Sequence, residues 1–145
     1  MIDVYSKEIR SILEMACPVW HPGLTVSEEN QLERVQKVAF AIIRSNGYNK
    51  YTDSLEYFKQ DTLKKRREKL CLNFAVKAHK SEKFSQWFVP NHSTINTRSD
   101  KMPLKSVKTR TRKYRKSPLP YLTEVLNNHI HSKQQKERRV EMYKQ

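Results

Sequence analysis

The chain has 145 residues, of which 37% are hydrophobic and 30% are charged, a composition that suits one domain with a modest core. Two glycines are too few for glycine-rich phosphate loops or tight hairpins. No apolar run is long enough to span a bilayer, and we expect no membrane partner. The absence of a signal-peptide pattern and the presence of only two cysteines favour an intracellular protein, nuclear or cytoplasmic, without a disulfide framework.

The net charge of +14 is distributed unevenly along the chain. Residues 1–60 hold 7 Lys and Arg against 8 Asp and Glu, whereas residues 61–145 hold 22 against 7. A one-sided basic field attracts polyanions such as RNA, DNA or an anionic membrane surface. A surface that served only solubility would not need this bias.

The first predicted helix covers Val4–Ala16, where apolar residues recur at helical spacing. Pro18 should end it, because the residue before a proline avoids the helical region. We expect Val19 and Trp20 to continue in an extended conformation.

The second predicted helix begins near Thr25 or Ser27 and ends at residues 46–47, an Asn-Gly pair. Thr25 and Glu28 have the spacing of a capping box. The apolar stripe that we expect to be buried consists of Leu32, Val35, Ala39, Ile42 and Ile43.

A short helix is predicted from Thr52 or Asp53 to Lys59, and a longer one over residues 62–80 with Asp61 as its cap. The predicted core face of the longer helix comprises Leu63, Leu70, Cys71, Phe74, Ala75 and Ala78. Its first two turns are crowded with cations, which is unfavourable at the positive end of the helix dipole. Such a conflict with local stability hints at a binding role.

The fold class predicted from these elements is all-α. Residues 1–89 form a helical bundle, residues 90–116 a basic irregular linker, and residues 117–145 a C-terminal helix with a charged tail. Ser117 and Pro118 have the residue types of an N-cap and a first helical position.

Several separated blocks together resemble one protein family. They are "RSILEMACPVWHPGLT", "QLERVQKVAFAII", "LKKRREKLCLNFA", "WFVP" and "RTRKYRKSPLPYLTEVLN". In this order and spacing, over about residues 4–127, they resemble the C-terminal, thumb-like region that follows the palm in reverse transcriptases of non-LTR (LINE-like, jockey-type) retrotransposons. The resemblance implies an RNA-directed DNA polymerase as the parent protein and a template–primer hybrid as the partner.

The resemblance also gives the segment around Trp20 a structural role. It implies that Trp20 is a core anchor at the junction between the palm and the thumb-like helices, held by Cys17, Pro18 and Pro22. It further implies that Met1 lies inside what is normally a longer protein. The apolar face of the first helix would then be exposed here, free to contact the missing palm or another copy of the chain.

No catalytic residues are expected in this chain. Polymerases hold two metal ions with paired carboxylates, but the four aspartates here are scattered and none is adjacent to another. Cys17 and His21 are only two potential zinc ligands, which do not make a site. We therefore expect neither an enzyme nor a bound cofactor or metal.

The strongest local signal is the nine-residue stretch 108–116, in which basic residues could meet phosphates and Tyr114 could stack on a base. A second cationic patch lies in the long helix. The predicted nucleic-acid-binding residues are Lys108, Arg110, Arg112, Lys113, Tyr114, Arg115 and Lys116, with Lys64, Lys65, Arg66 and Arg67 in the second patch.

Two other interpretations of the chain stay open. The basic stretch is also typical of a localisation signal or a solvated charge run, in which case the chain is a helical protein-interaction module. The reading frame could also be a relic without function. The leading prediction is a non-catalytic fragment of a retrotransposon polymerase that contacts the nucleic-acid backbone without sequence specificity.

Overall fold

The structure, a computed structural model, describes residues 1–45, 50–91 and 102–142. Its regular elements are helical, which confirms the all-α class; among the described residues, strand-like pairing is limited to an isolated bridge between Pro90 and Leu104. The α-helices are α1 (Ile2–Val4), α2 (Arg10–Glu14), α3 (Cys17–Trp20), α4 (Val26–Arg44), α5 (Tyr51–Tyr57), α6 (Leu63–Lys80), α7 (Arg112–Arg115) and α8 (Pro118–Met142). A π-helical segment, Tyr5–Ile9, joins α1 to α2, and 3-10 turns occupy His21–Gly23 and Ser85–Trp87.

The chain divides into two compact units, Met1–Leu70 and Cys71–Gln145, and the boundary falls within α6. The helix end predicted at residues 46–47 lies outside the described residues, as do residues 92–101 of the predicted linker. No helix in the described parts of the chain has the length and apolarity that a bilayer crossing requires.

The N-terminal helical run ends earlier than predicted, at Glu14, and a second helix follows at once. Ala16 takes a left-handed backbone conformation with φ of 51°, which redirects the chain. Because Cys17–Trp20 is helical, the predicted extended conformation of Val19 and Trp20 is wrong. Pro18 lies in the first turn of α3, where its missing N–H is not needed, so it begins a helix rather than ending one.

Helix α4 begins as predicted but buries a different face. The Thr25 side chain accepts a hydrogen bond from the Glu28 N–H, and the Glu28 carboxylate accepts one from the Thr25 N–H at 2.7 Å, which confirms the capping box. The buried residues are Gln36 and Phe40, whereas Val35 of the predicted stripe is exposed. Ile42 is also exposed, at 66%. The buried face of α4 is therefore centred on a polar residue, Gln36, that lies outside the predicted apolar stripe.

The first unit is organised around a hydrogen-bond network on Gln36. The Tyr5 hydroxyl donates to Gln36 Oε1 at 2.8 Å, and Gln36 Nε2 donates to the Tyr51 hydroxyl at 2.9 Å and the Asp61 carbonyl at 3.1 Å. All of the amide's strong hydrogen-bonding groups are thus engaged, which offsets the cost of burying it. Burial raises the pKa of Tyr5 and of Tyr51, so both phenols stay protonated as donors. Phe40 packs on this network, with its ring 5.4 Å from that of Tyr5.

The second unit buries the small residues of α6 together with apolar residues of α8. Cys71, Ala75 and Ala78 are buried as predicted, whereas Phe74 is 38% exposed. Phe88 is buried with its ring 5.7 Å from that of His79. Helix α8 begins at Pro118, as expected, and its core residues include Leu122 and Leu126.

Candidate nucleic-acid interface

Residues 108–116, which we call the basic segment, form a short, locally stabilised turn. Thr111 caps α7, and its hydroxyl oxygen accepts a hydrogen bond from the Tyr114 N–H at 3.1 Å. The Ser117 hydroxyl donates to the Tyr114 carbonyl at 2.7 Å, so the turn is closed on both sides before Pro118 begins α8. The segment is therefore a defined turn rather than the irregular loop that its composition predicts.

The cations of the basic segment are exposed to solvent. Within residues 1–45, 50–91 and 102–142, none of them forms an ion pair with a carboxylate. Tyr114 is 45% exposed and makes no aromatic contact with another described residue, so its ring is accessible for stacking. The exposed cations are Lys108, Arg110, Arg112, Lys113, Arg115 and Lys116.

A buried clamp connects the approach to the basic segment with α8. The Leu104 N–H donates to Asn127 Oδ1 at 2.9 Å, and Asn127 Nδ2 donates to the Leu104 carbonyl at 3.0 Å. On its other side, the Lys105 N–H donates to the Val89 carbonyl at 2.8 Å. These bonds fix residues 104–105, a few residues before the basic segment, against α8 and against Val89. Sequence reasoning missed Asn127, because an isolated amide in a polar helix carries no local signal of burial.

Two neighbouring cavities open beside the basic segment. One has a volume of about 370 Å³ and is lined by Thr109, Arg110, Thr111, Arg112, Arg115 and Lys116. The other has a volume of about 410 Å³ and is lined by Met102, Ser106, Val107, Thr109, Arg115, Pro120, Thr123, Glu124, Asn127 and Asn128. Because Thr109 and Arg115 line both, the cavities are adjacent.

The second predicted patch, at the start of α6, is engaged within its own unit. Lys64 Nζ lies 3.1 Å from a carboxylate oxygen of Glu29, and Arg66 pairs with Glu14 through two nitrogens at 2.5 and 3.0 Å. Lys65 approaches Asp61 to 2.9 Å. These pairs explain how α6 accommodates cations in its first turns, since the paired carboxylates offset both the cations and the positive end of the helix dipole.

Arg67 differs from the other cations of this patch because it is buried. Its guanidinium carbon lies 5.8 Å from the centre of the Trp20 ring, in the geometry of a cation–π contact. No described residue accepts a hydrogen bond from its guanidinium nitrogens. A side chain with 0% exposure is out of reach of an external polyanion in this conformation.

The segment around Trp20 is helical and only partly buried. Trp20 Nε1 donates to the Met15 carbonyl at 2.8 Å, and Cys17 is buried, while Pro18 and Pro22 are half-buried. Burial, followed by the nearby charge of Arg67, lowers the pKa of His21. Among the described residues, no three His, Cys, Asp or Glu side chains are grouped as metal ligands.

The first unit also carries an apolar groove of about 610 Å³. Ile12 is 69% exposed at its edge and Ile9 is 42% exposed, whereas Tyr5 is buried, so the expected exposure of the first helix's apolar face holds for part of that face. The groove is lined by Ile12, Leu13, Met15, Trp20, Leu24, Glu28, Gln31, Leu32 and Val35.

Comparison of the chain with protein-family models, curated proteins and solved structures finds no significant match. The resemblance to retrotransposon polymerases therefore depends on the sequence blocks alone.

Proposed function

We propose that the chain binds the backbone of nucleic acids through the basic segment, without sequence specificity. The observation that supports this most directly is the concentration of six exposed cations in nine residues, none of which pairs with a carboxylate in the described parts of the chain. Cations that are already neutralised have less to gain from a phosphate. The cations of the basic segment are thus available to phosphates, whereas most cations of the α6 patch already pair with carboxylates of the chain.

The expected mechanism is phosphate contact with release of counterions. Each neutralised phosphate contributes a slope of about −0.7 to −0.9 to the dependence of log K on log salt. Such contacts position a strand but do not read its sequence. The exposed ring of Tyr114 adds base stacking, which every base can provide.

The sequence resemblance suggests the biological setting of this activity. We propose that the chain is a non-catalytic C-terminal fragment of a non-LTR retrotransposon polymerase, whose basic segment contacts the template–primer. Under this proposal the polymerisation chemistry belongs to a separate palm, and this chain contributes only binding.

The proposal is tested by fluorescence anisotropy with a labelled oligonucleotide and the full chain, over a series of salt concentrations. Five cations of the basic segment are replaced by Gln, and a control variant loses the same charge from exposed sites elsewhere. The test variant changes Arg110, Arg112, Lys113, Arg115 and Lys116, and the control changes Lys77, Lys133, Lys136, Arg138 and Arg139.

We expect the test variant to lose at least tenfold in affinity and to show a shallower salt slope, since up to five phosphate contacts disappear. The control should lose much less. Equal losses in both variants would show a diffuse electrostatic attraction and would remove the assignment to the basic segment. Unchanged binding by the test variant would refute the proposal.

The apolar groove of the first unit favours a second candidate function, that of a protein-interaction module. An exposed apolar groove of this kind binds by burying apolar surface, which depends weakly on salt. Binding of a partner that persists at high salt and is lost in Ile12→Ser, but not in the basic-segment variant, would support this function.

A further inference from the structure

The two cavities beside the basic segment have complementary chemistry. The smaller one is lined only by Thr hydroxyls and cationic side chains, with no carboxylate among its lining residues. Thr111 accepts a hydrogen bond from a backbone N–H there, but its own hydroxyl hydrogen is free to donate to a ligand. A cationic site with hydroxyl donors and no carboxylate favours a phosphate group.

The larger cavity is partly apolar and carries a carboxylate. Met102, Val107 and Pro120 supply apolar walls, and its volume of about 410 Å³ lies within the usual range of about 300–1,000 Å³ for small-ligand pockets. Glu124 disfavours a phosphate beside it, so we expect an anionic ligand that spans both cavities to place its phosphate in the smaller one.

Two of the polar side chains that α8 contributes to the larger cavity are available for a ligand. Thr123 already donates to the Leu119 carbonyl, and Asn127 is used by the clamp. Glu124 and Asn128, in contrast, are exposed and make no side-chain hydrogen bond with the described residues. They lie four residues apart on α8 and therefore share one helix face.

We propose that the paired cavities hold one unpaired nucleotide of a bound strand, with its phosphate in the smaller cavity and its base in the larger. This inference rests on the proposed nucleic-acid binding and adds a site for a single base to it. Arg115, which lines both cavities, bridges the phosphate and the sugar–base end of the nucleotide. An extruded base is commonly held between apolar side chains and through hydrogen bonds to its pairing edge.

The chemistry of the larger cavity selects a base with an exocyclic amine. A carboxylate accepts a hydrogen bond from the amino group of cytosine, and an Asn amide pairs with adenine. Uracil and thymine present a carbonyl at the corresponding position, which faces the Glu124 carboxylate unfavourably. The backbone contacts stay independent of sequence, and the inserted base adds a preference at one position.

The test measures anisotropy with the full chain and three labelled single strands of about 12 nucleotides: oligo-dC, oligo-dT and an abasic strand of equal length. We expect oligo-dC to bind about tenfold more tightly than oligo-dT, and at least fivefold more tightly than the abasic strand, since one held base contributes at this level. Glu124→Gln should abolish the preference for oligo-dC over oligo-dT and leave binding of the abasic strand nearly unchanged. Glu137→Gln, the same charge change at an exposed position of α8, should keep the preference.

The outcomes separate this inference from the proposed function. Equal, salt-dependent binding of all three strands would overturn the base site while leaving backbone binding intact. Absence of salt-dependent binding to any strand would overturn both. A preference for oligo-dC that survives Glu124→Gln would also refute the assignment to this cavity. The same preference in a parallel oligo-rC and oligo-rU series supports the site, and the series that binds more tightly identifies the natural strand as RNA or DNA.

Discussion

Removal of the Asn127 side chain should release the basic segment from α8. In Asn127→Ala, the Leu104 N–H and carbonyl each lose their hydrogen-bond partner. Leu104 and Asn127 are both 3% exposed, so water does not readily replace the amide. At about 1–2 kcal/mol for each stranded buried group, the local opening free energy should fall by about 2–4 kcal/mol.

Hydrogen exchange at the Leu104 amide measures this effect directly, because it reports the free energy of local opening. A loss of 2 kcal/mol corresponds to about a 30-fold fall in protection. Asn128→Ala changes the exposed neighbour on the same helix and should leave the protection of Leu104 unchanged. An unaltered Leu104 amide in Asn127→Ala would refute the reasoning that the clamp holds the segment.

A second substitution at Asn127 separates the donor from the acceptor. In Asn127→Asp, the carboxylate still accepts from the Leu104 N–H but offers no donor to the Leu104 carbonyl. The introduced carboxyl group should therefore have a raised pKa in the folded state, since only its protonated form can donate. The protection of the Leu104 amide against hydrogen exchange should recover as the pH falls through that raised pKa. A constant loss of protection from pH 7 to pH 4 would contradict this account.

Two further predictions concern the first unit. Lys59 follows α5 with a left-handed φ of 51°, and the N–H groups of Lys59 and Gln60 donate to the Glu56 and Leu55 carbonyls. Because glycine adopts this conformation without steric cost, Lys59→Gly should raise the free energy of unfolding by about 0.5–1 kcal/mol. A lower free energy of unfolding in chemical denaturation would refute this. Hydrogen bonds from Lys69 and Lys65 lower the pKa of Asp61 to about 2, below the pKa of an aspartate in an unfolded chain. The Asp61 carboxylate therefore stabilises the folded state above about pH 4, and this contribution is lost as the pH falls towards 2. The difference in unfolding free energy between the wild type and Asp61→Asn should shrink over that interval, and a difference that is independent of pH would contradict it.

The features that the sequence predicted correctly depend on neighbours along the chain. The capping box at Thr25 needs only Glu28, three residues away, and Pro118 begins a helix through its own fixed φ. The all-α class follows from helical periodicity repeated over most of the chain. The exposure and charge of the basic segment follow from its composition, although the turn that Thr111 and Ser117 close was not expected.

The burial pattern of α4 was predicted incorrectly because it depends on partners that are distant in sequence. Gln36 was not expected in the core, because its burial is compensated by Tyr5, Tyr51 and the Asp61 carbonyl, which are 31, 15 and 25 residues away. The prediction of an extended conformation at Trp20 was wrong for a local reason, since the left-handed Ala16 redirects the chain after Glu14 and Pro18 lies in the first turn of a new helix.

The sequence by itself determined where α4 and α8 begin, how much positive charge the second half carries and where that charge is most concentrated. Only the tertiary structure decided which cations are available to a ligand, because pairing depends on carboxylates brought from other segments. Glu14 reaches Arg66 from 52 residues away, and Glu29 reaches Lys64 from 35, while the basic segment meets no such partner in the described chain. Asn127 likewise binds Leu104 through a contact between residues 23 apart, which no local pattern encodes.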